Sequence, residues 1–285
     1  MAGRGFDEFW AVDWSGARAG TYRGIAVAHC LAGRRAPVIG KPGFGDAWWT
    51  RASVLEHLRK RLAGGRRILI GFDFPFGLPA PAPLGATPVA ATWRNVEREC
   101  KGDRDFYAGS FAARRPGAFL RAGAVRSPAW RPWVRATDVA CKRALGVTPE
   151  TPFKLIGAKQ PGLAGLSGMR VLLALKRYLG DAVAVWPFEP VADRRVVVVE
   201  IFPTVFRHAA GFRSAKLRSG RDLDLALEVF GSEPARLVTE SDDETDAMIS
   251  AAALRHILRG GASAAFRRGV GSRLCCEGWI FGVPA

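Results

Sequence analysis

Apolar residues along this chain follow two rhythms, one suited to strands and one to helices. Phe9-Trp10-Ala11-Val12 is a short apolar run that stops at Asp13, with turn signals at Ser15-Gly16 and Gly20. Tyr22 to Cys30 alternates loosely and reads as a second strand. Gly33-Arg34-Arg35 makes a turn, and Pro37-Val38-Ile39 begins a weaker third strand. Together these predict an antiparallel meander. From Ser53 to Ala63 the apolar positions Val54, Leu55, Leu58 and Leu62 take helical spacing, and Gly64-Gly65 ends the helix. Ile68-Leu69-Ile70-Gly71-Phe72 is a continuous apolar run, as a strand buried on both faces requires. It ends at Asp73-Phe74-Pro75-Phe76-Gly77-Leu78-Pro79.

Residues 80–190 break this rhythm. Pro81, Pro83 and Pro88 punctuate their start, a basic and aromatic stretch runs from Arg114 to Arg135, and Gly162, Gly165 and Gly168 precede a helix over Met169 to Leu179. The strand pattern returns at Val196-Val197-Val198-Val199-Glu200-Ile201, where four consecutive valines favour an inner strand. Ser241, with Glu244 three residues on, caps a helix that runs to about Arg259 and stops at Gly260-Gly261.

The order is three antiparallel strands, helix, strand, insertion, strand, helix. It predicts an α/β fold of ribonuclease-H-like outline: a mixed sheet, antiparallel then parallel, flanked by helices. Residues 1–79 and 191–285 would form the core. Residues 80–190 would form a mostly helical insertion after the fourth strand, packed on that core.

Composition narrows the class. The chain has 285 residues, 48% of them hydrophobic, enough to bury a core. Its formal net charge of +16 favours polyanionic partners, nucleic acid above all. Only eight of the 42 basic residues are lysine, so a coding bias towards arginine is the competing explanation. Five cysteines with no C-x-x-C pair argue against a zinc ribbon or a disulfide framework. The first residues lack the apolar stretch of a signal peptide, and no run of eighteen apolar residues occurs. The expectation is a cytoplasmic protein with no membrane partner; oligomeric state is left open.

Against that basic background, the informative positions are acidic. Asp13, Asp73 and Glu200 sit in or at the end of apolar strands, where a carboxylate is costly unless compensated. Asp243 and Asp246 are three apart on one helix and share a face. In the expected fold the first and fourth strands are neighbours, so Asp13 and Asp73 would meet at one edge, with the helix pair beside them. Carboxylates gathered this way repel one another, and a divalent cation holds them together. The competing readings are local. Asp13 and Asp73 could be turn aspartates. Asp242 and Asp243 lie in a first helical turn, where acids favour the macrodipole. Glu200 could be paired with an arginine.

Five motifs in order carry a resemblance: Val12-Asp13-Trp14-Ser15-Gly16, Gly71 to Pro79, Glu200-Ile201-Phe202-Pro203, Asp242 to Ala247, and Glu277 to Val283. They are similar to the family known as domain of unknown function 429, described as predicted nucleases of ribonuclease H fold. Asp243-x-x-Asp246-Ala247 also resembles the last acidic motif of RuvC-like resolvases. The resemblance implies that Asp13, Asp73 and Asp243/Asp246 fill that acidic set, in which Glu200 has no counterpart.

These readings lead to a magnesium- or manganese-dependent phosphodiester hydrolase acting on nucleic acid or another phosphorylated polyanion. Asp13 would bridge the ions, Asp73 and Asp246 would each hold one, and Asp243 or Glu200 would complete a shell or orient water. The insertion leaves the sheet directly after Asp73, where α/β folds place ligands. It is therefore expected to wall the cleft, with Arg126, Arg131 and Arg135 contacting phosphates. Two alternatives remain: an actin-like nucleotide-binding phosphotransferase, and a non-catalytic basic scaffold or nucleic-acid-binding protein of the same fold.

Overall fold

Long apolar runs in strands belong inside a sheet covered on both faces, and three strands of this chain carry such runs. The computed structural model describes residues 5–18, 22–43, 45–121, 133–157, 160–212, 216–237, 241–266 and 274–284. In it β1 (Glu8–Asp13), β4 (Ile68–Phe72) and β6 (Val196–Glu200) are buried along their whole length. They form the centre of a six-stranded sheet of order β3-β2-β1-β4-β6-β5. β2 (Ala26–Leu31) and β3 (Val38–Ile39) pair antiparallel on one side, whereas β4, β6 and β5 (Val183–Val185) continue parallel from β1. The mixed sheet expected from the sequence is thus present, with ribonuclease-H-like topology.

Helices cover both faces. On one lie α1 (Arg51–Leu62), α2 (Val89–Glu99), α3 (Gly109–Ala113) and α5 (Pro161–Leu179). On the other lie α6 (Pro203–Ala209), α7 (Gly220–Val229) and α8 (Asp242–Arg259). α4 (Ala136–Leu145) packs against α6, and a short helix over Leu274–Glu277 precedes the C-terminal segment. α8 crosses β1 and β2 with Ala247 and Ala251-Ala252-Ala253 buried, so its backbone lies close to the sheet. Among the described residues no helix is long and apolar enough to cross a membrane.

Strand periodicity divides the core. Trp10, Val12, Ile70, Phe72, Val196 and Val198 face α1, α2 and α5. Phe9, Ala11, Leu69, Val197, Val199 and Ile201 face α6 and α8. Since successive side chains point to opposite faces, Asp13 and Asp73 extend the α8-facing rows, whereas Glu200 extends the other.

Two elements depart from the sequence reading. Residues 183–185 form edge strand β5, inside the span assigned to the insertion; three residues are too few to show a period. α5 begins at Pro161 rather than Met169, so the three glycines lie within it. Two of them face the turn after β4. A Cβ on Gly165 would lie 2.8 Å from Pro75, and one on Gly168 would lie 2.3 Å from the Phe74 ring. The glycines cost helix propensity and gain close approach of α5 to the segment that follows Asp73. Gly168→Ala should therefore lower stability by about 1–3 kcal/mol through overpacking. That loss would come despite the roughly 1 kcal/mol that alanine contributes elsewhere in a helix. Urea unfolding measures it; a stabilised variant would refute this account.

Candidate active site

β1 and β4 run parallel with Val12 opposite Phe72, so the next residue of each is an aspartate. The Asp73 amide donates to the Val12 carbonyl at 3.0 Å, which carries the ladder one step past β4 and fixes Asp73 beside Asp13. Over these strand ends lies the first turn of α8. Ser241 caps it, its hydroxyl accepting from the Glu244 amide. The turn brings Asp243 and Asp246 to the same place. All four aspartates line one cleft of about 710 Å³. Thr148, Pro149, Gln160 and Pro161 of residues 80–190 line it too.

The electrostatics reflect this crowding. Asp13 is 7% exposed, and burial together with Asp73, Asp246 and Asp243 holds its pKa well above the usual carboxylate range. Burial and the nearby Asp246 push Asp73 up to about 8, against the opposing pull of Arg207 and Lys216. Burial also raises Asp243, with Asp246 adding to the effect. Among the described residues, neither the Asp13 nor the Asp73 carboxylate accepts a hydrogen bond from a protein donor.

Asp246 is different. Arg207 on α6 donates to its Oδ1, and Lys216 Nζ lies 2.7 Å from its Oδ2. Burial alone would lower the Lys216 pKa, but Asp246 outweighs it and the net shift is upward. Neither cation was marked in the sequence. Each was one basic residue among 42, far along the chain from Asp13 and Asp73. Only their placement on the loop and helix beside α8 distinguishes them.

Among the described residues, no three carboxylate, histidine or cysteine groups stand close enough to chelate a metal ion as they are. The donor set still suits a hard divalent ion: Asp13, Asp73 and Asp243 offer carboxylate oxygens and suffer mutual repulsion that a dication would relieve. Asp246 would join them only by giving up a cation it already holds.

Glu200 borders the same cleft, but its strand parity turns it to a network of its own. Arg135 donates to both of its carboxylate oxygens, at 2.8 and 2.7 Å, and also to Asp138 at 2.9 Å. The Phe76 amide donates to Glu200 Oε2 at 2.9 Å. Nearby, Glu277 accepts from the Ala80 and Ala136 amides. This network fastens the turn after β4, the insertion and the C-terminal segment to one another. The ion pair with Arg135 is the local alternative weighed for Glu200, and Glu200 borders the cleft as well.

Arg135, expected to contact phosphate, is engaged with carboxylates of the protein. It is 3% exposed, and although it borders the cleft its guanidinium is committed to Glu200 and Asp138. Burial alone would disfavour its charge, but those two carboxylates outweigh it and raise its pKa. The buried acids require a buried cation, and the sequence showed only a basic stretch. Arg126 and Arg131 lie outside the described residues. Elsewhere in that stretch Arg115 is paired in a fork with Glu99. The described cleft lining is itself acidic, seven carboxylates to four basic groups.

Two expectations follow. A carboxyl whose folded pKa is raised binds more protons folded than unfolded, so the metal-free protein loses stability as pH rises from about 4 to about 8. Asp73→Asn should flatten that decline, measured by thermal unfolding across the range; an unchanged slope would remove the crowding account. Arg135→Ala should cost about 3–5 kcal/mol, because it strands Glu200 and Asp138 in the interior. Chemical denaturation tests this, and a loss below about 1 kcal/mol would place Arg135 among ordinary surface pairs. Compared with protein-family models, curated proteins and solved structures, the chain matches none.

Proposed function

We propose that this protein is a divalent-metal-dependent phosphodiester hydrolase acting on nucleic acid. The observation that carries the reading is the meeting of Asp13, Asp73, Asp243 and Asp246 in one cleft, where burial and neighbouring carboxylates disfavour the charged forms of Asp13 and Asp73 and, among the described residues, no protein donor reaches either. The resemblance of the acidic motifs to predicted nucleases of ribonuclease H fold points the same way. Asp13, Asp73 and Asp243 would hold the ion. Magnesium or manganese bound there supplies a polarised phosphate and a water of lowered pKa. Arg207 keeps Asp246 anchored, and Lys216 stands where it can meet a phosphate oxygen. The insertion limits access of bulk water from one side.

The size and charge of the cleft favour a second reading of the substrate. About 710 Å³ lies within the range of small-molecule sites, and the acidic lining offers a long polyanion little attraction. A compact phosphorylated substrate, or a single-stranded end, fits such a space better than a duplex.

The test is turnover with manganese on single-stranded and duplex DNA, on RNA and on mononucleotides. Asp13→Asn and Asp73→Asn should each reduce the metal-dependent rate by about a hundredfold or more while leaving the fold intact. Wild-type activity in either variant would overturn the assignment. If millimolar metal neither raises the melting temperature nor supports turnover on any substrate, a non-catalytic scaffold is the better reading.

A further inference from the structure

Of the two cations that hold Asp246, Lys216 is the one whose hold is easily broken. Arg207 is 4% exposed and also donates to Thr204 on its own helix at 2.8 Å, so it is anchored whatever Asp246 does. The Lys216 side chain is 35% exposed. Among the described residues, its ammonium makes a single hydrogen bond, to Asp246 Oδ2, with Asp242 4.0 Å away as a second, looser partner. Two of its three protons are therefore available to another acceptor.

The described lining carries seven carboxylates to four basic groups, so the cleft as a whole favours cations. A divalent ion on Asp13, Asp73 and Asp243 that drew in Asp246 would set its charge against the Lys216 ammonium, in a half-buried site where screening is weak. That repulsion is relieved when Lys216 leaves Asp246 for an anion brought in from outside.

On the reading of the site as a metal-dependent phosphodiester hydrolase, we propose that Lys216 is a displaceable counter-ion. It leaves Asp246 for the phosphate of the substrate, and so couples full occupation of the carboxylates by divalent metal to the presence of that phosphate. Without substrate the lysine keeps the site from filling. With substrate it becomes a phosphate contact and frees Asp246 as a ligand. Metal and phosphate then strengthen one another's binding by the same factor, as linkage requires. Part of that factor resides in the lysine.

Manganese binding by calorimetry, with and without a short phosphorothioate-linked oligonucleotide, tests this on the full chain. Wild type should bind manganese weakly alone and about tenfold more tightly with the oligonucleotide. Lys216→Met should bind manganese alone about tenfold more tightly than wild type, since the competing cation is gone, and should lose most of the enhancement. Lys216→Arg keeps the charge and should stay near wild type in the absence of oligonucleotide. Thermal unfolding of the metal-free proteins provides a second measurement: Lys216→Met should melt lower than wild type and recover with magnesium, because the carboxylates have lost a counter-ion. If wild type and Lys216→Met bind manganese with equal affinity and equal enhancement, or if the methionine variant binds more weakly, the counter-ion role is wrong and the hydrolase reading stands. If no variant binds manganese under either condition, the metal-dependent reading itself falls.

Discussion

Like charges held at one edge of a sheet set the terms for everything around the cleft. Parallel pairing of β1 and β4 leaves no freedom in the matter: the Val12–Phe72 register and the Asp73 amide bond put two carboxylates side by side. α8 then adds Asp243 and Asp246 from above. Such an arrangement raises the energy of the folded chain at neutral pH, and the surroundings answer it in two ways. Protons are retained, visible as the raised pKa of Asp13 and Asp73. Cations are also brought in, as Arg207 and Lys216. The site is thus poised with its charge only partly balanced.

The second set of buried acids is answered differently. Glu200, Asp138 and Arg135 form a nearly closed arrangement in which the donors and acceptors are matched, and nothing in it calls for a further ion. Both groups border the cleft, but Glu200 is paired with Arg135, whereas Asp73 accepts no hydrogen bond among the described residues. Strand parity separates them. Asp73 and Glu200 belong to adjacent strands but to opposite faces of the sheet.

That parity was present in the sequence, and it shows where sequence reading reached its limit. Continuous apolar runs at 68–72 and 196–199 marked the inner strands, the capping serine marked the start of α8, and the acids stood out against both. Once β4 and β6 were taken as parallel neighbours, counting residues would have put Glu200 on the face away from Asp73. Doing so needed the register, which depends on the pairing Phe72 with Glu200 and is not a local property. The cations were harder to find. Arg135 looked like any member of a basic stretch until its burial showed that it serves Glu200. Lys216 and Arg207 owe their meaning to the approach of α6 and the following loop to α8, a contact between segments with no shared motif. Glycines 165 and 168 looked like a loop because their function is to admit Phe74 and Pro75, not to break a helix.

The fastening of the turn after β4 also bears on when the cleft can exist. Glu277 holds the amides of Ala80 and Ala136, Phe281 donates to the Glu200 carbonyl, and a parallel bridge joins Ile280 to Glu200. These residues follow Asp73 by roughly two hundred positions, and a ribosome adds about 5–20 residues per second. A nascent chain that has already paired β1 with β4 must wait some ten seconds or more before the segment that secures the acidic edge is made. Until it emerges, the turn that follows Asp73 lacks this fastening, and the wall of the cleft takes its final form only once that segment is made.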